Sequence, residues 1–201
     1  LRWEHANNDS DGPAGQSHTN GSGLDGSPQN WDRDSHDFSI DEEGFYDTET
    51  DFVSAEFNRA VSFGDGTITN IFGWRTYDAE SRGDIDSQPV FLFHSDTWTE
   101  AEQFSNELRY SGRFDDRLSL TSGLYYFTND VDYHERRNFG PGIFAPIPIT
   151  GDGGGKYSVE SWAVFTAVDY DLTDALTLNL GLRYTYEEKE ADVAFISSNL
   201  S

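Results

Sequence analysis

Apolar and polar residues alternate along much of this chain. In "LTLNLGLRYTYEE" (176–188), Leu176, Leu178, Leu180, Leu182 and Tyr184 fall on one side of an extended backbone; Thr177, Asn179, Gly181, Arg183 and Thr185 fall on the other. A two-residue period predicts a strand with one apolar and one polar face. In 103–114, Phe104, Leu108, Tyr110 and Phe114, sharing a side with Asn106 and Gly112, oppose Gln103, Ser105, Glu107, Arg109, Ser111 and Arg113. In 118–127, Leu118, Leu120, Leu124 and Tyr126 alternate with Ser119, Thr121 and Gly123. In 162–170, Trp162, Val164, Thr166, Val168 and Tyr170 oppose Ala163, Phe165, Ala167 and Asp169. Weaker repeats lie at 67–77, with Ile68, Phe72 and Trp74, and at 52–61, with Val53, Ala55 and Phe57. The opening "LRWEHA" reads as the end of a further strand, making seven, most of them near the ~9–11 residues that cross a bilayer when tilted.

The links between these segments alternate in length. "FGDGT" (63–67), "DDR" (115–117) and "DLTD" (171–174) are tight, and their Gly and Asp suit hairpin turns. The stretches 7–45, 78–102, 128–157 and everything after 186 read as long loops. Strict alternation predicts an up-and-down sheet trimmed at one end and elaborated at the other. Soluble domains rarely carry structureless loops above ~12–15 residues; a membrane barrel with short inner turns and long outer loops does.

Charge follows the same division. The chain has 37 acidic and 13 basic residues and a net charge of -24. The four long stretches hold 24 of the acidic and 6 of the basic ones. No Lys/Arg-rich stretch exists to neutralise phosphates, so a nucleic-acid partner is excluded. There is no cysteine, and therefore no disulfide or thiolate metal site. No apolar run is long enough for a transmembrane helix, and no signal peptide is visible. Because the chain begins without Met, in what reads as the middle of a strand, it is expected to be a piece of a longer protein.

A soluble sandwich or a secreted binding or carbohydrate-active domain would also alternate. Three features favour lipid. Aromatics stand near strand ends (Phe104, Phe114, Tyr126, Trp162, Tyr170 and Tyr184), where interfacial girdles place them. Charged and amide side chains sit in mid-strand on the other face. The tight turns also occur at one end only. The fold predicted is therefore all-β, an antiparallel up-and-down transmembrane β-barrel segment of about seven strands, an incomplete barrel. Leu108, Tyr110, Leu120, Leu124, Leu178, Leu180 and Leu182 are the expected lipid-facing residues, and Glu107, Arg109, Arg113, Asn179 and Arg183 the expected lumen-facing ones. A closed eight-stranded barrel is the alternative, with "ADVAFI" (191–196) as its eighth strand.

"SNELRYSGRFDDRLSLTSGLYYF" resembles the mid-barrel hairpin of TonB-dependent outer-membrane receptors, "ESWAVFTAVDYDLTDALTLNLGLRYTYEEKE" resembles the following hairpin, and "FGDGTITNIFGWRTYD" the strand pair before them. The resemblance runs from about residue 46 to 190. It implies a 22-stranded barrel closed by an N-terminal plug domain, in the bacterial outer membrane. The implied activity is energy-dependent uptake of a scarce nutrient such as a ferric siderophore, not an enzymatic reaction. The implied partners are outer-membrane lipid, the protein's own plug domain, the TonB complex and a small ligand such as a metal chelate. Residues 1–201 are then expected to be a partial barrel, without plug or TonB box, and the loops at 7–45, 78–102 and 128–157 to make the first ligand contacts. A passive porin would share the barrel and lack the plug.

Little else in the sequence carries chemistry. "NNDSDG" (7–12) opens like a calcium loop, but His18 stands where the bidentate Glu is required. "YHERR" (133–137) has no second His at i+4, so His134 is read as a loop or strand-end residue. His5, His18, His36, His94 and His134 show no ligand spacing. "GDGGGK" (151–156) reads as a flexible loop and "FAPIPIT" (144–150) as a stiff apolar stretch within one. No catalytic residue, metal ligand or cofactor is expected.

Overall fold

The computed structural model describes residues 1–22, 28–32 and 34–199. Among the described residues nine strands follow one another: β1 (Arg2–Asp11), β2 (His18–Ser22), β3 (Pro28–Asn30), β4 (Phe45–Val61), β5 (Gly66–Asp84), β6 (Phe93–Phe114), β7 (Leu118–Phe139), β8 (Ile149–Thr173) and β9 (Leu176–Asn199). Seven form one sheet in the order β1-β4-β5-β6-β7-β8-β9, every pair antiparallel. β2 and β3 pair separately in the segment between β1 and β4. The sheet does not close, so β1 and β9 are its two edges. The expected up-and-down architecture of seven strands is thus present.

Residue chemistry accounts for the three tight turns. Ser62–Asp65 joins β4 to β5 through a single 3-10 turn, with Gly64 at φ 59° and Asp65 at φ 41°. The ring of Phe63 meets Phe114 edge-on at 4.9 Å, and the Tyr110 hydroxyl donates to the Phe63 carbonyl at 2.7 Å. A Cβ at Gly64 would stand 2.6 Å from Phe114, so only glycine supplies both the positive φ and the space. Between β6 and β7, Asp115 adopts φ 56° and the Arg113 guanidinium donates to the Asp116 carbonyl at 2.7 Å. Between β8 and β9, Thr177 donates to the Asp171 carboxylate at 2.6 Å.

The strands are much longer than the leucine pattern indicates. β6 and β7 each run 22 residues and β8 runs 25, against the ~9–11 needed to cross a bilayer. Much of each expected long loop is therefore strand. The links opposite the tight turns shrink to 12–44, 85–92 and 140–148. Four readings are corrected by this. "GDGGGK" lies within β8, paired on both sides, with a bulge between Asp152 and Gly154. His134 is mid-strand, opposite Trp98 and Gly154. "ADVAFI" continues β9 along β8 instead of forming an eighth strand. The opening strand reaches Asp11, taking "NNDSD" into β1. Positions 23–27 and 33 of the first expected loop, the side chain of His18, and residues 200–201 lie outside the described residues.

The reason is pairing. Asp, Glu and Gly are poor strand formers in isolation, but each acid-rich extension here has an equally long neighbour to complete its hydrogen-bond ladder. The buried apolar residues are Ile149, Val159 and Ala163, all on one side of β8 together with buried Ser161. Along β8, then, the covered side is the one opposite the leucines.

Candidate functional site

Side chains directly opposite in register share a face, so the pairing sorts every residue onto one of two surfaces. We call the first the leucine face. Leu108, Leu124, Val164 and Tyr184 form one row across β6 to β9; Tyr110, Ser122, Thr166 and Leu182 form the next; Leu120, Val168 and Leu180 stand in a third. Leu178 is opposite Tyr170, which is opposite Leu118. All seven residues expected to face lipid lie on this surface, and none is buried: Leu182 is 74% exposed and Leu180 61%. Left in water, an apolar side chain of this size forgoes about 1.5–3 kcal/mol. Weighted by their partial exposure, the seven forgo on the order of 5–10 kcal/mol, comparable with the whole stability of a domain, ~5–15 kcal/mol.

Further from the tight turns the same face carries aromatics: Trp74 opposite Phe104, and Tyr126 opposite Trp162 opposite Tyr186. Trp162 stacks on Tyr186 at 5.9 Å and tilts on Tyr184 at 5.6 Å. Beyond them it turns acidic. Asp51, Glu102, Asp130 and Glu190 share a row, and Glu49, Asp78, Glu100, Asp132, Lys156 and Asp192 form the next. From β5 to β9 these rows wall an open groove of about 800 Å³. Lys156 donates to Asp132 at 2.7 Å.

The opposite surface, the arginine face, holds Glu107, Arg109, Arg113, Asn179 and Arg183, all five residues expected in the lumen. Its charges are mostly satisfied within the sheet. Arg109 lies 3.5 Å from Glu107, and Asn179 donates to Asp169 at 2.6 Å. Arg113 is spent on the β6–β7 turn. Arg183 donates to Thr185 and lies over the rings of Tyr125, at 5.6 Å, and Phe165, at 5.7 Å. Phe165 in turn leans over Gly123, where a Cβ would stand 2.4 Å from its ring. At the height of the acidic rows this face is nearly neutral. Arg2–Glu4, Glu187–Lys189 and Glu135–Arg137 are same-strand pairs. Arg75, Gln103 and Asn129 stand in one row beside Tyr77, around a cavity of about 180 Å³.

At the far end of β5 and β6 lies a cluster that no sequence spacing reveals. His94 Nε2 is 2.9 Å from Asp41 Oδ1, the Asp41 amide donates to Asp84 at 3.3 Å, and the Ser87 amide donates to Asp84 at 2.7 Å. Its members come from three separate stretches, so only the fold assembles them. Burial, reinforced by neighbouring Asp86, holds the Asp84 carboxyl above the usual carboxylate range. Nearby, Arg82 donates to Asp96 at 2.5 Å and Asn138 donates to it at 3.0 Å. The other group with metal-ligand geometry, His5, Glu49 and Asp51, is more open; Trp3 donates to Asp51 there.

Exposed leucines on one side and a charged, half-covered surface on the other give an inverted sheet, suited to an apolar solvent. No curated protein and no solved structure matches the chain. Residues 1–199 match the family described as TonB dependent receptor-like, beta-barrel, and the chain therefore belongs to the TonB-dependent receptors of the bacterial outer membrane, a family of transporters.

Proposed function

We propose that this chain is part of the wall of a receptor that takes up a scarce, bulky nutrient, of the ferric-siderophore kind, with energy from the TonB complex. The leucine face looks out at hydrocarbon and the arginine face looks into the lumen, against a plug domain carried elsewhere in the protein. Further strands of the same barrel complete the β1 and β9 edges. The observation that carries the reading is the coordinated change on the leucine face. Across β6 to β9 it is mainly apolar for about ten residues from the tight turns, the span of a tilted bilayer crossing, with its few polar members paired among themselves (Asn106 with Asn70, Ser122 with Thr166). It then turns aromatic, and then acidic. A soluble sheet has no reason to change its outer chemistry in register across successive strands.

On this reading the acidic rows stand above the membrane on the outside of the barrel, and the nearly neutral surface around Arg75, Tyr77, Gln103 and Asn129 lines the ligand's route. The segments 12–44, 85–92 and 140–148 make the first contacts. The test is uptake of a radiolabelled ferric siderophore panel by cells carrying the full-length protein. Uptake of one panel member is expected, abolished by removing TonB and strongly impaired by deleting the three segments, with barrel insertion retained. Uptake that survives loss of TonB would instead make this barrel a passive channel.

A further inference from the structure

We propose that His94, Asp41 and Asp84 form a binding site for a first-row transition metal, zinc or manganese, that pins the segment 12–44 to the tip between β5 and β6. The inference is independent of what the receptor transports.

The donor set comes first. Asp84 and His94 are direct register partners across β5 and β6, and Asp41 arrives from the segment that precedes β4. One donor atom from each lies within 4.8 Å of the other two. Metal–ligand bonds of ~2.0–2.2 Å put neighbouring donors roughly 3–4 Å apart, so a small closing movement seats an ion. Each Asp84 oxygen accepts one backbone hydrogen bond, from Ser87 and from Asp41, which orients the carboxylate and leaves a lone pair on each. The Phe91 ring, 4.6 Å from the imidazole, covers one side of His94.

The charge balance is a second and separate observation. Asp84 is only 5% exposed, and around it stand the His94 imidazole and two further carboxylates, Asp41 and Asp86. The arginines at this end are committed elsewhere: Arg82 to Asp96, Arg136 to Asp152 and Arg137 to Glu135. Among the described residues, no Lys or Arg forms an ion pair with Asp84. A buried carboxylate without a countercharge is costly. A divalent ion compensates the negative charge and takes the place of the contact between His94 Nε2 and Asp41 Oδ1. Asp86, which accepts from the Phe93 amide at 2.6 Å and the Gln88 amide at 2.9 Å, adds negative potential from close by.

One imidazole and two carboxylates suit zinc or manganese better than calcium, which takes six to eight oxygens. The consequence is mechanical. Besides Asp41, the segment meets the tip through Gln88, which donates to Ser17 at 3.2 Å. A bound metal therefore adds a further tie between the two.

The test uses the full-length protein in detergent, stripped with a chelator and titrated calorimetrically with zinc, manganese or calcium chloride at physiological salt. One equivalent of zinc or manganese is expected to bind. Affinity should fall at least tenfold in His94→Gln and in Asp41→Asn, and stay unchanged in Asp132→Asn, which probes the acidic rows. Asp41 lies outside the sheet, so Asp41→Asn serves if His94→Gln fails to fold. Zinc should also slow proteolysis within 12–44 in the native protein but not in the two site variants. Failure to bind either metal, a preference for calcium, or equal binding by the native protein and both site variants would overturn the proposal.

Discussion

On its leucine face β6 carries Phe104, Leu108 and Tyr110 toward the tight turns, and Glu102, Glu100 and Trp98 toward the other end. β9 repeats the arrangement, with Leu178, Leu180 and Leu182 giving way to Glu188, Glu190 and Asp192. The backbone is an antiparallel ladder throughout, in continuous register from β5 to β7 and interrupted between β8 and β9 only by irregularities at Asp152/Gly154 and Asp171/Thr173. Only the side chains change, and they change at similar heights on neighbouring strands. Register is a property of the backbone, whereas the choice between leucine and glutamate is dictated by what lies outside. On the proposed reading one sheet serves two solvents, with Trp74, Phe104, Tyr126, Trp162 and Tyr186 at the boundary, where amphipathic rings are most stable.

The hardest way to break this contrast is to exchange its terms. Leu124→Arg puts a charge in the middle of the apolar half, and should destabilise the full-length barrel in lipid vesicles by about 2–4 kcal/mol. Glu102→Arg, on the same face in the acidic half, should stay within about 0.5 kcal/mol. Urea unfolding of both variants in vesicles is the measurement. Equal losses would mean that the two halves share one environment.

The next largest effect probes the other surface. Gly123→Val drives a branched side chain into the space held by Phe165 and dislodges the ring under Arg183. A loss of roughly 1–3 kcal/mol is expected from overpacking, visible in the same unfolding assay. Gly123→Val with Phe165→Ala should recover part of it. No recovery would show that the adjacent Leu108 carbonyl, not the ring, sets the limit.

How much of this is legible in the residues differs between the two halves of the sheet. The leucine stripes are plain, because a two-residue apolar period fits a two-faced strand and no helix. The seven-strand count, the turns and the sorting of Leu108, Leu124, Leu180, Arg109 and Arg183 onto two faces follow from it. The outer half also has a two-residue period, in Glu100-Glu102, Asp130-Asp132 and Glu188-Glu190-Asp192. It reads as loop because acidic residues and glycines disfavour strands locally, and only paired neighbours override that. The Asp41–Asp84–His94 cluster leaves no trace in the spacing; pairing of β5 with β6 and the return of the 12–44 segment create it.

A smaller effect separates paired from unpaired acids. Arg137 donates to both Glu135 oxygens, at 2.7 and 3.0 Å, and holds this carboxyl below its usual range. A depressed carboxyl stabilises the fold above its unfolded value, and that contribution disappears as pH falls through the folded value. Glu135→Gln should therefore cost up to about 1 kcal/mol at neutral pH. The gap from the native protein should close on acidification below the ordinary glutamate range. Parallel melting curves at all pH values would remove the pair from any role in stability.

The smallest effect concerns the acidic rows themselves. Asp78 and Glu100 are direct cross-strand partners, as are Glu100 and Asp132, and like charges in that position repel by about 0.2–1 kcal/mol. Removing the shared member relieves both contacts, so Glu100→Gln should stabilise the full-length protein by a few tenths of a kcal/mol at low salt. The gain should fade by 1 M salt, where screening acts within ~3 Å. Leu108→Gln in the apolar half should show no comparable salt dependence, because ions do not enter hydrocarbon. A Glu100→Gln gain that persists unchanged in high salt would mean that packing, not charge, shapes this surface, and that its acids are not there for their field.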